Sequence, residues 1–103
     1  MTEKPPILSY DGHMNRLKRW QKILDFEVRR WSAMSSEDLI SELRDLQTYA
    51  VEFDSRTYQV EVELLENGKD HVQIIVAVDD GSLPASLFPV TQTFIRKKSH
   101  PTT

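Results

Sequence analysis

The hydrophobic period of this chain changes once, from helical to strand-like, and that single change confines it to very few architectures. Leu17, Trp20, Leu24, Val28 and Trp31 recur at steps of three or four, the spacing that lines one face of a helix over about residues 13–32. Leu39, Leu43 and Leu46 repeat the spacing in a second, shorter helix over about 36–46. From Tyr49 onward the period is two. Tyr49, Val51 and Phe53 alternate with polar neighbours, and after a turn near Ser55 and Arg56 so do Tyr58, Val60, Val62 and Leu64, then Val72, Ile74, Val76 and Val78. Helical stripes followed by one-sided strands predict an α+β fold: an N-terminal two-helix hairpin packed on one face of a three- to four-stranded antiparallel β-meander.

Local signals place the boundaries. Ser35 and Asp38 have the spacing of a capping box, and Met34 and Leu39 that of a hydrophobic staple, so the second helix should start there. Asn67-Gly68 marks a hairpin. A two-residue turn would set Val62 against Gln73, so a three-residue loop with Gly68 as a left-handed bulge is expected instead, pairing Val62 with Val72, Val60 with Ile74 and Tyr58 with Val76. Ile75 and Ala77 make the reverse face of the third strand more apolar, which suits a central position. Asp79-Asp80-Gly81 reads as a turn and 82–89 as a loop. A last strand over about 90–96 belongs at an edge, with a poor pattern because Val90 and Phe94 share a face with Gln92 and Arg96. Residues 1–12, with Pro5, Pro6 and Gly12, should be extended, with Ile7, Leu8 and Tyr10 available to pack on the domain or form an edge strand; residues 97–103 read as a loose tail.

The 103 residues suffice for one domain, residues 13–96, with a core that needs no metal or disulfide. The absence of cysteine removes disulfides, thiolate metal sites and cysteine nucleophiles, and suits a cytoplasmic location. No apolar run reaches membrane-spanning length. The net charge of −3 is unevenly spread: Met1–Met34 carries +3, Ser35–Ile95 carries −9, and Arg96, Lys97 and Lys98 restore +3.

Two surfaces stand out. On the first helix Phe26 lies opposite Leu17, ringed by Arg19, Lys22, Arg29 and Arg30, a basic face with an aromatic centre to which Ile23 could add. With Leu87 and Phe88 of the later loop, these residues are the expected partner-binding set. Glu52, Glu61, Glu63 and His71 should share the sheet face away from the helices, where the expected register sets Glu63 across from His71 as an acid–base pair. His13, His71 and His100 lack metal-ligand spacing, no serine sits in a nucleophile elbow, and three glycines are too few for a phosphate loop, so no cofactor or metal is expected. The acidic body disfavours nucleic acid, although the basic helix face keeps that alternative in view. Self-association satisfies both charge signs. The expected function is therefore a non-catalytic interaction or structural module acting as a homodimer, the alternative being a ligand binder or enzyme whose pocket is lined by Trp20, Trp31, Tyr49 or Tyr58.

Overall fold

In the computed structural model, the described residues are 12–82 and 89–99, with side chains from Lys18 onward. The expectations placed on residues 1–11 and on Leu87 and Phe88 lie outside them. Two helices, α1 (Gly12–Ser32) and α2 (Ser36–Glu42), precede four strands, β1 (Gln47–Phe53), β2 (Arg56–Asn67), β3 (His71–Asp79) and β4 (Val90–Lys97). The strands form one antiparallel sheet in the order β1-β2-β3-β4, so β1 and β4 are its edges among the described residues. Alternation turns Tyr58, Val60 and Val62 of β2 and Val72, Ile74, Val76 and Val78 of β3 to one side. There they are fully buried with Trp20, Ile23, Leu24 and Trp31 of α1 and with Leu39 and Leu43 at α2. Trp20 meets the Tyr58 ring edge-on at 6.4 Å. Each helix makes its main contacts with the sheet, α1 with β3 and β4 and α2 with β2 and β3, which bears out two helices on an antiparallel sheet and does not support the expected helical hairpin.

Helix α1 begins at Gly12, inside the segment expected to be extended, and closes with Arg29 and Arg30 in its last turn, where cations complement the C-terminal carbonyls. Helix α2 is capped as its sequence implies: the Ser35 hydroxyl accepts from the Asp38 amide at 3.1 Å, and Met34 packs on the core near the buried Leu39. It stops four residues earlier than expected. The Leu43 amide still donates to the Leu39 carbonyl, but the Gln47 side chain donates to the Glu42 carbonyl at 3.0 Å and the chain turns into β1. Leu46 consequently leaves the core and is 51% exposed.

The β2–β3 register also departs from expectation. Val60 pairs with Val78, Val62 with Val76 and Leu64 with Ile74; an extra residue at Leu65 then shifts the ladder so that Asn67 pairs with Val72. The bulge is therefore inside β2 and not at Gly68. Gly68 donates its amide to the His71 carbonyl at 2.9 Å, and a Cβ there would stand only 3.3 Å from that oxygen, so glycine serves a close approach at this hairpin. At the other hairpin Phe53 pairs with Arg56 across a two-residue turn, with Asp54 and Ser55 both left-handed (φ 56° and 65°). Asp79-Asp80-Gly81 is a turn as expected, its carboxylates accepting from the Gly81 and Ser82 amides. The C-terminal tail starts later than Lys97, which belongs to β4; the Lys98 amide donates to the Asp70 carbonyl at 2.8 Å.

Candidate interaction surface

The poor alternation of β4 has a structural explanation. Phe94 pairs with Ile74 and Arg96 with Val72, so Arg96 lies on the helix side, where its Nε donates to the Met34 carbonyl at 2.9 Å. Gln92 lies on the same side, beside Val28, Arg29 and Ser32 of α1. The polar residues on the inner face of this edge thus meet helix α1 and the link after it. Among the described residues no equivalent cover lies along the outer rim of β1.

Beside β1 runs an apolar groove of about 390 Å³, walled by Lys22, Ile23, Phe26 and Glu27 of α1 and by Val51, Glu52 and Phe53 of β1. Phe26 is 63% exposed and Phe53 37% exposed, two large rings opening on one depression. Ile23, expected as an exposed anchor, is buried beneath them. The groove continues toward the β1–β2 turn, where Lys18, Arg19 and Lys22 surround Phe53 and Asp54, and the Arg19 guanidinium pairs with the Asp54 carboxylate at 3.3 Å. Helix α1 runs antiparallel to β1 in this region: Arg19 stands at the level of Asp54, Phe26 near Val51, and Glu27 and Trp31 at Tyr49.

Glu27 holds the two elements together. Although only 2% exposed, it keeps two polar partners, Arg30 at 2.9 Å and the Tyr49 hydroxyl in a short hydrogen bond. That hydroxyl also accepts from Trp31 Nε1 and from Arg30, each at 2.8 Å, so its one donor and two acceptor positions are all used. The Arg30 guanidinium stacks over the Trp31 and Tyr49 rings at 5.7 and 5.4 Å. Burial, assisted by the Glu27 hydrogen bond, pushes the Tyr49 hydroxyl above its usual value near 10. The hydrogen bond to Glu27 likewise raises Arg30. Glu27 was not among the residues singled out from the sequence. Its signal was there, because 20, 24, 27 and 31 are successive stripe positions and the third carries a carboxylate among hydrophobes.

The expected basic face is therefore divided. Lys22 and Phe26 flank β1, Arg19 is held by Asp54, Arg30 is held by Glu27, and Arg29 lies on the opposite flank beside Gln92. On the sheet face away from the helices, Glu52, Glu61 and Glu63 are exposed. Glu63 pairs with Ile75, and His71 pairs with Lys97 on β4 and lies 3.6 Å from Glu66, so the Glu63–His71 pair does not form. Of the rings expected to line a pocket in the alternative reading, Trp20, Trp31 and Tyr58 are core residues and Tyr49 packs against the core and is bonded to α1. No group of side chains among the described residues could hold a metal ion, and no described helix is long and apolar enough to cross a membrane.

Comparison with known proteins adds no assignment: no family model, no curated protein and no solved structure matches this chain.

Proposed function

We propose that this protein is a non-catalytic, cytosolic interaction module that works as a homodimer joined through the Phe26 groove. The observation that carries the reading is the pair of exposed rings, Phe26 and Phe53, in one groove beside an edge strand that no other described strand covers. Aromatic side chains in a depression with a charged rim have the composition of an interface centre. The distribution of cations favours a protein partner over a nucleic acid, because Arg19 and Arg30 are already engaged by carboxylates and Arg29 lies on a different flank from Lys22. The lack of cysteine supports a reducing compartment.

Light scattering coupled to size exclusion tests this at tens of micromolar protein. The wild-type chain elutes as a dimer, and Phe26→Asp, which alters only an exposed side chain, elutes as a folded monomer. A wild-type monomer, or a dimer indifferent to Phe26→Asp, contradicts the reading.

A further inference from the structure

Resting on that reading, we infer that the occupant of the β1 edge is β1 of a second copy, paired antiparallel about a two-fold axis at Ala50, so that two four-stranded sheets become one. The two edges of the sheet differ in the features that block such pairing. Strand β4 ends in Arg96 and Lys97, follows Pro89, and is overlaid by α1. Strand β1, Gln47–Phe53, carries no lysine, arginine, proline or bulge, and its single charge is Glu52.

Symmetry and sequence then choose the register. A two-fold axis perpendicular to a sheet pairs a residue with its own copy, and Ala50 is the middle of the seven residues of β1. Centring there pairs the whole strand, setting Val51 against Tyr49, Glu52 against Thr48 and Phe53 against Gln47 of the second copy. Centring on Glu52 would oppose two carboxylates and leave half of the strand unpaired. Phe26 shares its groove with Val51, Glu52 and Phe53, so under this register the two grooves lie on the same side of the joined sheet, one to either side of the axis.

Charge selects a second copy over a strongly charged partner. Glu27 is neutralised within its own chain by Arg30, which leaves Lys22 as the groove's unpaired charge on the helix side among the described residues, while Glu52 lies on the other face of β1. With the axis at Ala50 neither charge opposes its own copy, since Glu52 stands across from Thr48 and Lys22 lies toward the Phe53 end, whereas the exposed Glu61, Glu63 and Glu66 crowd like charge on β2.

The chain has no cysteine, so a single introduced thiol reads this geometry directly. Opposed residues of antiparallel strands have Cα atoms about 4.5–5.5 Å apart, within disulfide range. Under diamide, Ala50→Cys is expected to form a covalent dimer about a hundred-fold faster than Thr93→Cys on β4, as local concentration in a preformed pair exceeds that in solution. Both sites are exposed, so neither substitution disturbs the core. A dimer by light scattering in which Ala50→Cys links no faster than Thr93→Cys overturns the strand pairing and leaves the Phe26 dimer standing. A monomer overturns both. A monomer with exchange-protected β1 amides means that the edge is covered within the same chain, which also overturns the pairing.

Discussion

The two outermost strands of this sheet face the same problem, a row of backbone groups with no described strand beyond them, and meet it in different ways. Strand β4 is shielded: α1 lies over it, Arg96 reaches the Met34 carbonyl, and its end is basic. Strand β1 has one strong tie to the helices, the Tyr49 hydroxyl on Glu27, Arg30 and Trp31, and beyond that tie it opens onto the groove of Phe26 and Phe53. On the proposed reading, β4 ends the sheet and β1 is the edge at which a second copy would continue it.

Adding a guard to the open edge is the strongest way to break that contrast. Ala50→Lys would oppose two ammonium groups at the proposed axis and weaken self-association by about 2 kcal/mol or more, roughly 30-fold in dissociation constant. Thr93→Lys, equally exposed on β4, should change it less than about two-fold. Sedimentation equilibrium on the two variants decides between the edges; equal losses would erase the distinction.

A second comparison concerns the ties that hold each edge to the helices, read by urea unfolding in a Phe26→Asp background so that association does not contribute. Tyr49→Phe strips Glu27 and Trp31 of a buried partner and should cost about 1–3 kcal/mol, whereas Arg96→Ala removes one exposed bond and should cost about 1 kcal/mol. The Tyr49 tie also carries a pH signature. Its hydroxyl is raised in the folded chain, so its contribution is complete below the unfolded value near 10 and falls as pH rises through the folded one, because the unfolded tyrosine ionises first. The alkaline loss of stability should therefore shrink in Tyr49→Phe and persist in Arg96→Ala.

The smallest effect lies in the turn that closes β1. Ser55 is left-handed without being glycine, so Ser55→Gly should relieve strain and raise stability by about 0.5–1 kcal/mol, seen as a rise of a few degrees in thermal midpoint. A fall would mean that the Ser55 side chain contributes more than its backbone costs.

Alternation made the layers of this fold legible, since it fixes which side of a strand each residue takes. It could not fix register. The expected pairing of Val62 with Val72 and the observed pairing with Val76 differ by four residues, an even number, and both keep every valine on the helix side. The choice between them rests on the bulge at Leu65 and the tight contact at Gly68, neither of which has a periodic signature. Helical spacing likewise identified the outward position of Phe26 but not Glu27, because a charge on an apolar stripe is understood only with its partner, and Tyr49 lies 22 residues away. Arg96 and Gln92 blurred the β4 pattern for the same reason: the groups they meet, the Met34 carbonyl and the last turns of α1, are distant in the chain.

The extra residue in β2 has one more implication. Beyond Leu64 the odd and even positions exchange sides, so that Glu66, opposite Gln73, joins the outer face. Removing Leu65 would cancel that exchange and renumber the hairpin without inverting it, whereas removing a residue from the regular part of β2 would turn every later side chain over. Leu65 is thus a point of tolerance, where the chain can gain or lose length while the layers on either side keep their orientation.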